Sequence, residues 1–203
     1  PAGPYQFGGK LRIQGSRLQF TSTDGQVGSS AIGFDGSLGL AGKTPSVDAA
    51  ISAKGSNLAE LLKPQILEGV PAAAFSLSTR LQMSDRGMAL NDLQFSLADS
   101  HVSGRLSTGW PREPGRMAFD LLAAGSDLRA SLPAIPGYVA APVAFSVAAE
   151  GTADPASVHI ERLDGKLADA RITLAGKLVF KPALAADAVR LSVQGPKLSD
   201  LGS

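Results

Sequence analysis

"GSDLRASL", residues 125–132, is the stretch on which the reading of this chain turns. It returns as "GSNLAELL" from Gly55 and as "GPKLSDLG" from Gly195, with the same interval each time: 125 − 55 = 70 and 195 − 125 = 70. A short pattern recurring at a fixed period is the mark of a repeated architecture. Its local chemistry reads as a joint. Gly125 ends a strand, and Ser126 or Asp127 caps a helical turn. Leu128 and Leu132 share one face of that turn, and Pro133 ends it.

The middle stretch alternates with a period of two. In "AFSLSTRLQM", Phe75, Leu77, Leu81 and Met83 fall on one face, with Ser76, Ser78, Arg80 and Gln82 on the other. "SDRG" (84–87) is a tight hairpin. "MALNDLQFSLA" follows with Leu93, Phe95 and Leu97 in alternation, then "HVSGRLSTGW" as a third strand. "PREPG" (111–115) interrupts, and "RMAFDLLAAG" is a fourth strand with Met117, Phe119, Leu121 and Ala123 facing one way.

The last third repeats the plan. Phe145 follows Phe75 by 70, Ile160 follows Leu90, Leu163 follows Leu93, and "LADA" (167–170) follows "LADS" (97–100). Matching "VSGRL" to "TLAGKL" puts Gly176 at 72 after Gly104, a slip of two that a shorter next hairpin would restore. "AVRLSVQG" then places Val189, Leu191 and Val193 on one face. Residues 1–62 supply strands in "KLRIQGSRLQFTST", "SAIGFDGSLGLAG" and "SVDAAISAKG" and read as a partial or shifted unit, ahead of full units at 63–132 and 133–203. The fold expected is mainly β: one elongated domain of stacked antiparallel β-meander repeats of about 70 residues, with a short helix per repeat.

Composition narrows the chemistry. Nineteen basic against eighteen acidic residues leave a net charge of +1, with no basic run suited to nucleic acid. Cysteine is absent, which removes disulfides, thiolate metal sites and a cysteine nucleophile. No window reaches the ~18 consecutive apolar residues of a spanning helix. The opening Pro-Ala-Gly-Pro, without Met, reads as that of a processed piece, with any anchor or export signal outside it.

Catalytic motifs fail on inspection. "SLGLAGKT" (37–44) lacks the first glycine of a phosphate-binding loop, and Pro45 with the strand-like "SVDAAISA" follows where a helix is needed, so it reads as a glycine-rich hairpin. His101 and His159 are not in metal-ligand spacing and read as surface residues on strands. "HIE" (159–161) has no cysteines to complete a zinc deaminase site. Asp99 and Asp169 are 70 apart and read as turn residues rather than paired acids. No enzyme, cofactor or metal is expected.

A sheet with one apolar face has to cover it. Either helices or a second layer make a dry core, or the face stays open as a groove for a greasy ligand or a partner. The helices read here are too short and few to cover four strands per unit, yet the residues alone leave both arrangements open.

"LNDLQFSLADSHVSGRLSTGW…RMAFDLLAAGSDLRASLP" and "IERLDGKLADARITLAGKLVF…VRLSVQGPKLSDL" resemble the repeat of AsmA-like proteins, the bacterial repeating β-groove group of bridge-like lipid transfer proteins. The resemblance covers residues 60–203 well and 10–62 loosely, through arrangement rather than any invariant residue. It implies a curved, taco-shaped sheet with a hydrophobic groove, anchored in the inner membrane and projecting into the periplasm. It implies phospholipid or another acyl-chain lipid as ligand, and a role in outer-membrane biogenesis and integrity. The lining would then comprise Phe75, Leu77, Leu81, Phe95, Leu97, Met117, Phe119, Leu121, Phe145, Val147, Val189, Leu191 and Val193. The rival expectation is a β-scaffold that assists outer-membrane protein assembly or binds a partner along its edge strands.

Overall fold

A computed structural model describes residues 5–61, 72–109, 113–128, 142–180 and 185–195. Their alternating segments form twelve antiparallel strands in one unclosed sheet, ordered as they occur in the chain. The strands are β1 (Tyr5–Gln14), β2 (Arg17–Val27), β3 (Ser30–Gly39), β4 (Ser46–Gly55), β5 (Phe75–Ser84) and β6 (Gly87–Leu97). They continue as β7 (Ser100–Gly109), β8 (Glu113–Gly125), β9 (Phe145–Ala153), β10 (Ser157–Leu167), β11 (Ala170–Val179) and β12 (Ala185–Gln194). Every strand pair in substantial contact is a pair of sequence neighbours.

Turn chemistry sets the hairpins. "SDRG" forms the two-residue loop expected, with Ser84 Oγ accepting from Arg86 N at 3.2 Å. Gly28, Ala98 and Ala168 hold the first loop position of the β2–β3, β6–β7 and β10–β11 hairpins, at φ 60, 50 and 50°. Asp99 and Asp169 take the second position, as turn residues. At the β9–β10 turn the Asp154 carboxylate accepts from Ala156 N (2.7 Å) and Ser157 N (2.8 Å). "SLGLAGKT" closes β3 and opens the loop to β4, with no helix after Lys43-Thr44.

Several boundaries differ from the sequence reading. "PREPG" does not end at the strand; β8 starts inside it, at Glu113, because Gly109 already pairs with Glu113. The slip of two between Gly104 and Gly176 is also absent. β7 and β11 begin at Ser100 and Ala170, and pair with the preceding strand in the same steps, Leu97↔Ser100 and Leu167↔Ala170. The glycine has moved two places along the strand instead, which keeps it on the same face. Gly104 occupies the place of Leu174, and Gly176 that of Leu106. The stretch read as partial, residues 1–62, carries four strands, the first three starting at 5, 17 and 30 against 75, 87 and 100 for β5 to β7.

One helix, α1 (Leu58–Leu61), follows β4 as expected. Asn57 caps it, its Oδ1 accepting from Ala59 N at 3.0 Å. Leu58 packs with Phe75 and Leu97, flanked by Ala53, Leu61, Ala73 and Phe95. Of the two other expected helices, only Ser126–Leu128 falls within the described residues. There, Leu128 N donates to Val143 O at 2.9 Å, as Leu58 N does to Ala73 O at 3.0 Å.

The recurring glycine has a steric cause. A Cβ on Gly55 would fall 2.7 Å from Phe75 Cε1, and one on Gly125 would fall 2.6 Å from Phe145 Cε1 and 2.6 Å from Ser100 Oγ. At this joint an aromatic ring leans over the backbone of the preceding strand, and any side chain there would displace it.

Candidate binding face: the apolar side of the sheet

Residues directly opposite across a ladder project from the same face, so the register assigns the two faces. Phe75 pairs with Leu97, Leu77 with Phe95, and Leu81 with Leu90. Phe95 pairs with Val102 and Leu90 with Leu106. Leu106 then meets Phe119, Gly104 meets Leu121, and Thr108 meets Met117. Ala123 meets Val147, and Gly125 meets Phe145. At the far end Ile172 pairs with Val193 and Leu174 with Leu191. Val189 lies over Gly176, where an added Cβ would come 3.0 Å from its Cγ2. All the lining candidates named from sequence therefore share one face.

The face also holds residues that were not among those lining candidates. Leu93 is buried, and Leu90, Leu106, Ile160, Leu163, Ile172 and Leu174 are half-buried. On the first strands Phe7, Leu11, Ile13, Leu18, Phe20 and Phe34 belong to it, with Phe20 and Phe34 meeting edge to face at 5.3 Å. The signal that could have found Leu90 and Leu93 together is a bulge. β6 carries an extra residue between them, with Asp92 at φ 52°. Thr79 sits opposite that bulge, buried on the apolar face, and its Oγ1 donates to Asn91 O at 2.9 Å.

Rings recur over glycines on this face. Phe75 leans over Gly55, Phe145 over Gly125, Phe7 over Gly25 and Phe119 over Gly151. A ring laid along the neighbouring strand covers backbone that a glycine leaves bare.

Coverage of the face is uneven. Phe75 and Leu97 lie under α1 at one end. Leu191 is 63 % exposed and Val193 37 %. At the strand ends away from α1, a hollow of about 600 Å³ is lined by residues of both faces, Val47, Met83 and Met88 from this one and Asp48, Gln82 and Ser107 from the other.

The other face is mainly polar, with Leu122 exposed on it. Arg80 donates twice to Asp48, at 2.8 and 3.0 Å, which holds the Asp48 carboxyl below its ordinary value. Asp164 accepts from Arg162 (2.7 Å) and Arg171 (3.3 Å), with the same effect. His101 lies here on β7, its Nδ1 2.7 Å from Ser96 Oγ, and His159 is exposed on β10. Arg116, Asp154, His159 and Lys177 border a hollow of about 400 Å³. Among the described residues, no group of three or more His, Cys, Asp or Glu is placed to hold a metal, and no helix is long and apolar enough to cross a membrane. No protein-family model, curated protein or solved structure matches the chain.

Proposed function

We propose that this chain is a lipid-carrying section of a larger β-groove: three units of about 70 residues whose shared apolar face curves into a track for phospholipid acyl chains. The unit period is supported by strand starts at 5, 75 and 145, at 17, 87 and 157, and at 30, 100 and 170. One observation carries the functional reading. An apolar face runs across all twelve strands, and α1 packs on it at one end. A face of that extent on one layer calls for a greasy occupant. Laying roughly ten methylenes on it would gain about 8 kcal/mol before the cost of ordering the chain. Headgroups would remain in water, and passage along the track would need no covalent chemistry. The AsmA-like resemblance adds the setting: a periplasmic protein anchored in the inner membrane and serving outer-membrane biogenesis.

The test is lipid extraction and mass spectrometry of the purified chain, with Phe119→Asp set against Ser76→Glu. Phe119 lies on the apolar face between Leu106 and Gly151. Ser76 is exposed on the polar face opposite Lys54, where a carboxylate is welcome. Arg80→Glu would be a poor control, because it sets a second carboxylate against Asp48. Phospholipid is expected with the parent chain and Ser76→Glu and lost with Phe119→Asp; equal retention by both variants refutes the track. The rival scaffold reading draws support from β1, exposed along its whole length.

A further inference from the structure

We infer that the hollow of about 400 Å³ on the mainly polar face, at the ends of β8 to β11 away from α1, binds a phosphate ester. It lies across the sheet from the acyl-chain track and does not depend on it. Four strands each bring one donor to it. β8 supplies Arg116, β9 Thr152, β10 His159 and β11 Lys177. The ladder sets three of them in a row: Thr152 stands opposite His159, and His159 opposite Lys177. Residues directly opposite on one face hold their Cβ atoms about 4.5–5.5 Å apart, so one small ligand can reach along the row. Arg116 enters from β8, beside the β9–β10 turn. Gly115, at φ 88°, lies against that turn, where an added Cβ would come 3.1 Å from Pro155 Cγ. The close approach keeps the start of β8 on the turn and Arg116 at the hollow.

Two carboxylates stand near these groups. Asp154 is committed to its own turn, accepting from Ala156 N at 2.7 Å and from Ser157 N and Ser157 Oγ at 2.8 Å each. Asp187 stands opposite Lys177 from the side of β12. What faces a ligand is then a guanidinium, an ammonium, an imidazole and a hydroxyl, and all four can donate hydrogen bonds. Donors arriving from four strands suit the several oxygens of a phosphoryl group better than the two of a carboxylate, and arginine and lysine are its common partners. Volume argues for more than bare phosphate. Small-molecule sites run from about 300 to 1,000 Å³, so this hollow takes a phosphate with a few carbons attached, of the size of glycerol phosphate. Such a group comes as a soluble ester or as a lipid headgroup, and the chemistry recognised is the same.

The chain's two histidines make the test direct. His159 lines the hollow, whereas His101 lies at the α1 end of β7, on the order of 20 Å away by strand spacing and rise. The ring-proton signals of both are followed by NMR as inorganic phosphate or glycerol 3-phosphate is added, with chloride at matched ionic strength as the control. The His159 signal should move and saturate, at lower concentration with the ester, while His101 stays still and chloride has no effect. Lys177→Gln should weaken binding about tenfold, as expected for one hydrogen bond to a charged group. Lys166→Gln removes the same charge at the other end of β10 and should leave binding unchanged. Vesicles of phosphatidylglycerol identify the source. Sedimentation of the parent chain with them, lost in Lys177→Gln, assigns a lipid headgroup; no sedimentation while glycerol 3-phosphate saturates the site assigns a soluble ester. The inference is overturned if both histidines move together, if chloride acts as phosphate does, if phosphate binds as tightly as its ester, or if the two lysine variants weaken binding equally.

Discussion

Replacing Gly125 by alanine tests why glycine recurs at the joint. Its backbone lies outside the left-handed region, so alanine is conformationally allowed. Stiffening the unfolded chain would favour the variant by about 0.4–1 kcal/mol. Space opposes it. The new Cβ would sit 2.6 Å from Phe145 Cε1 and 2.6 Å from Ser100 Oγ, well inside the ~3.5 Å of ordinary contact. Ser100 is 6 % exposed and Phe145 half-buried, so neither moves freely. Inserted carbon in such a place costs about 1–3 kcal/mol, leaving a net destabilisation of about 1–2 kcal/mol. Urea unfolding followed by circular dichroism measures this, and hydrogen exchange across β8 and β9 localises it. Gly195→Ala is the internal comparison. Its Cβ would come 3.1 Å from Ala170 Cβ with no ring closer among the described residues, and its cost should be smaller than that of Gly125→Ala. Gly125→Ala/Phe145→Leu should cost less than the sum of its single changes. A Gly125→Ala chain as stable as the parent, or no worse than Gly195→Ala, refutes the close-approach argument.

Ala98→Gly and Ala168→Gly should each stabilise by up to about 1 kcal/mol, because alanine at these left-handed φ values carries a steric cost that exceeds glycine's entropy, measured by the shift in urea midpoint. Leu58→Ala should cost about 2–3 kcal/mol, at the low end for a buried leucine because the cluster under α1 is small, and the loss should appear in exchange at β4 to β6. Acidification should weaken the sheet. Asp48 is held low by its bonds from Arg80, Asp154 by Ser157 and then Ala156, and Asp164 by Arg162 and then Arg171. A carboxylate lowered in the fold contributes stability above its ordinary value of 3.8 and loses it as pH falls through the folded value, so thermal melts should drop below about pH 3.8 and stay flat above it. Asp48→Asn should flatten part of that acid limb, and an unchanged limb would count against the Arg80 pair.

The strands were legible because a one-sided sheet writes its burial as alternation. Phe75, Leu77, Leu81 and Met83 stand at odd positions of β5 with Ser76, Ser78, Arg80 and Gln82 between them, and the ladder keeps that division. Hairpins were legible where glycine or aspartate sits in the loop, as at "SDRG". The break at "PREPG" was misplaced because proline forbids a ladder donor but not a strand; Pro114 falls near the start of β8, in the break of register between Gly109↔Glu113 and Thr108↔Met117. Gly104 and Gly176 misled the alignment for a subtler reason. Two neighbouring places on the same face hold one small and one large residue, and β7 and β11 fill them in opposite order, Gly104 with Leu106 against Leu174 with Gly176. An identity match sees an insertion there; packing sees an exchange.

Alternation identifies the apolar face but carries no record of what lies over it, so the binding face could be named residue by residue while its occupant could not. Its continuity depends on a device the period conceals. Leu90 and Leu93 are separated by an odd number of steps, and a regular strand would turn one of them to the polar side. The extra residue of the β6 bulge absorbs the odd step, and both leucines meet β7 on the apolar face, opposite Leu106 and Gly104. The same irregularity stands between Phe20 and Thr23 in β2 and between Ile160 and Leu163 in β10, each 70 residues from its counterpart. Thr79 completes the arrangement by giving the bulged carbonyl of Asn91 a donor inside an apolar surface. Three bulges at one place in the strand pattern are costly to keep merely to hold strands together, since an unbroken ladder does that better. Their common effect is to keep the apolar side chains of β2, β6 and β10 in phase with those of the strands beside them, and a surface held in phase is the property a track for acyl chains requires.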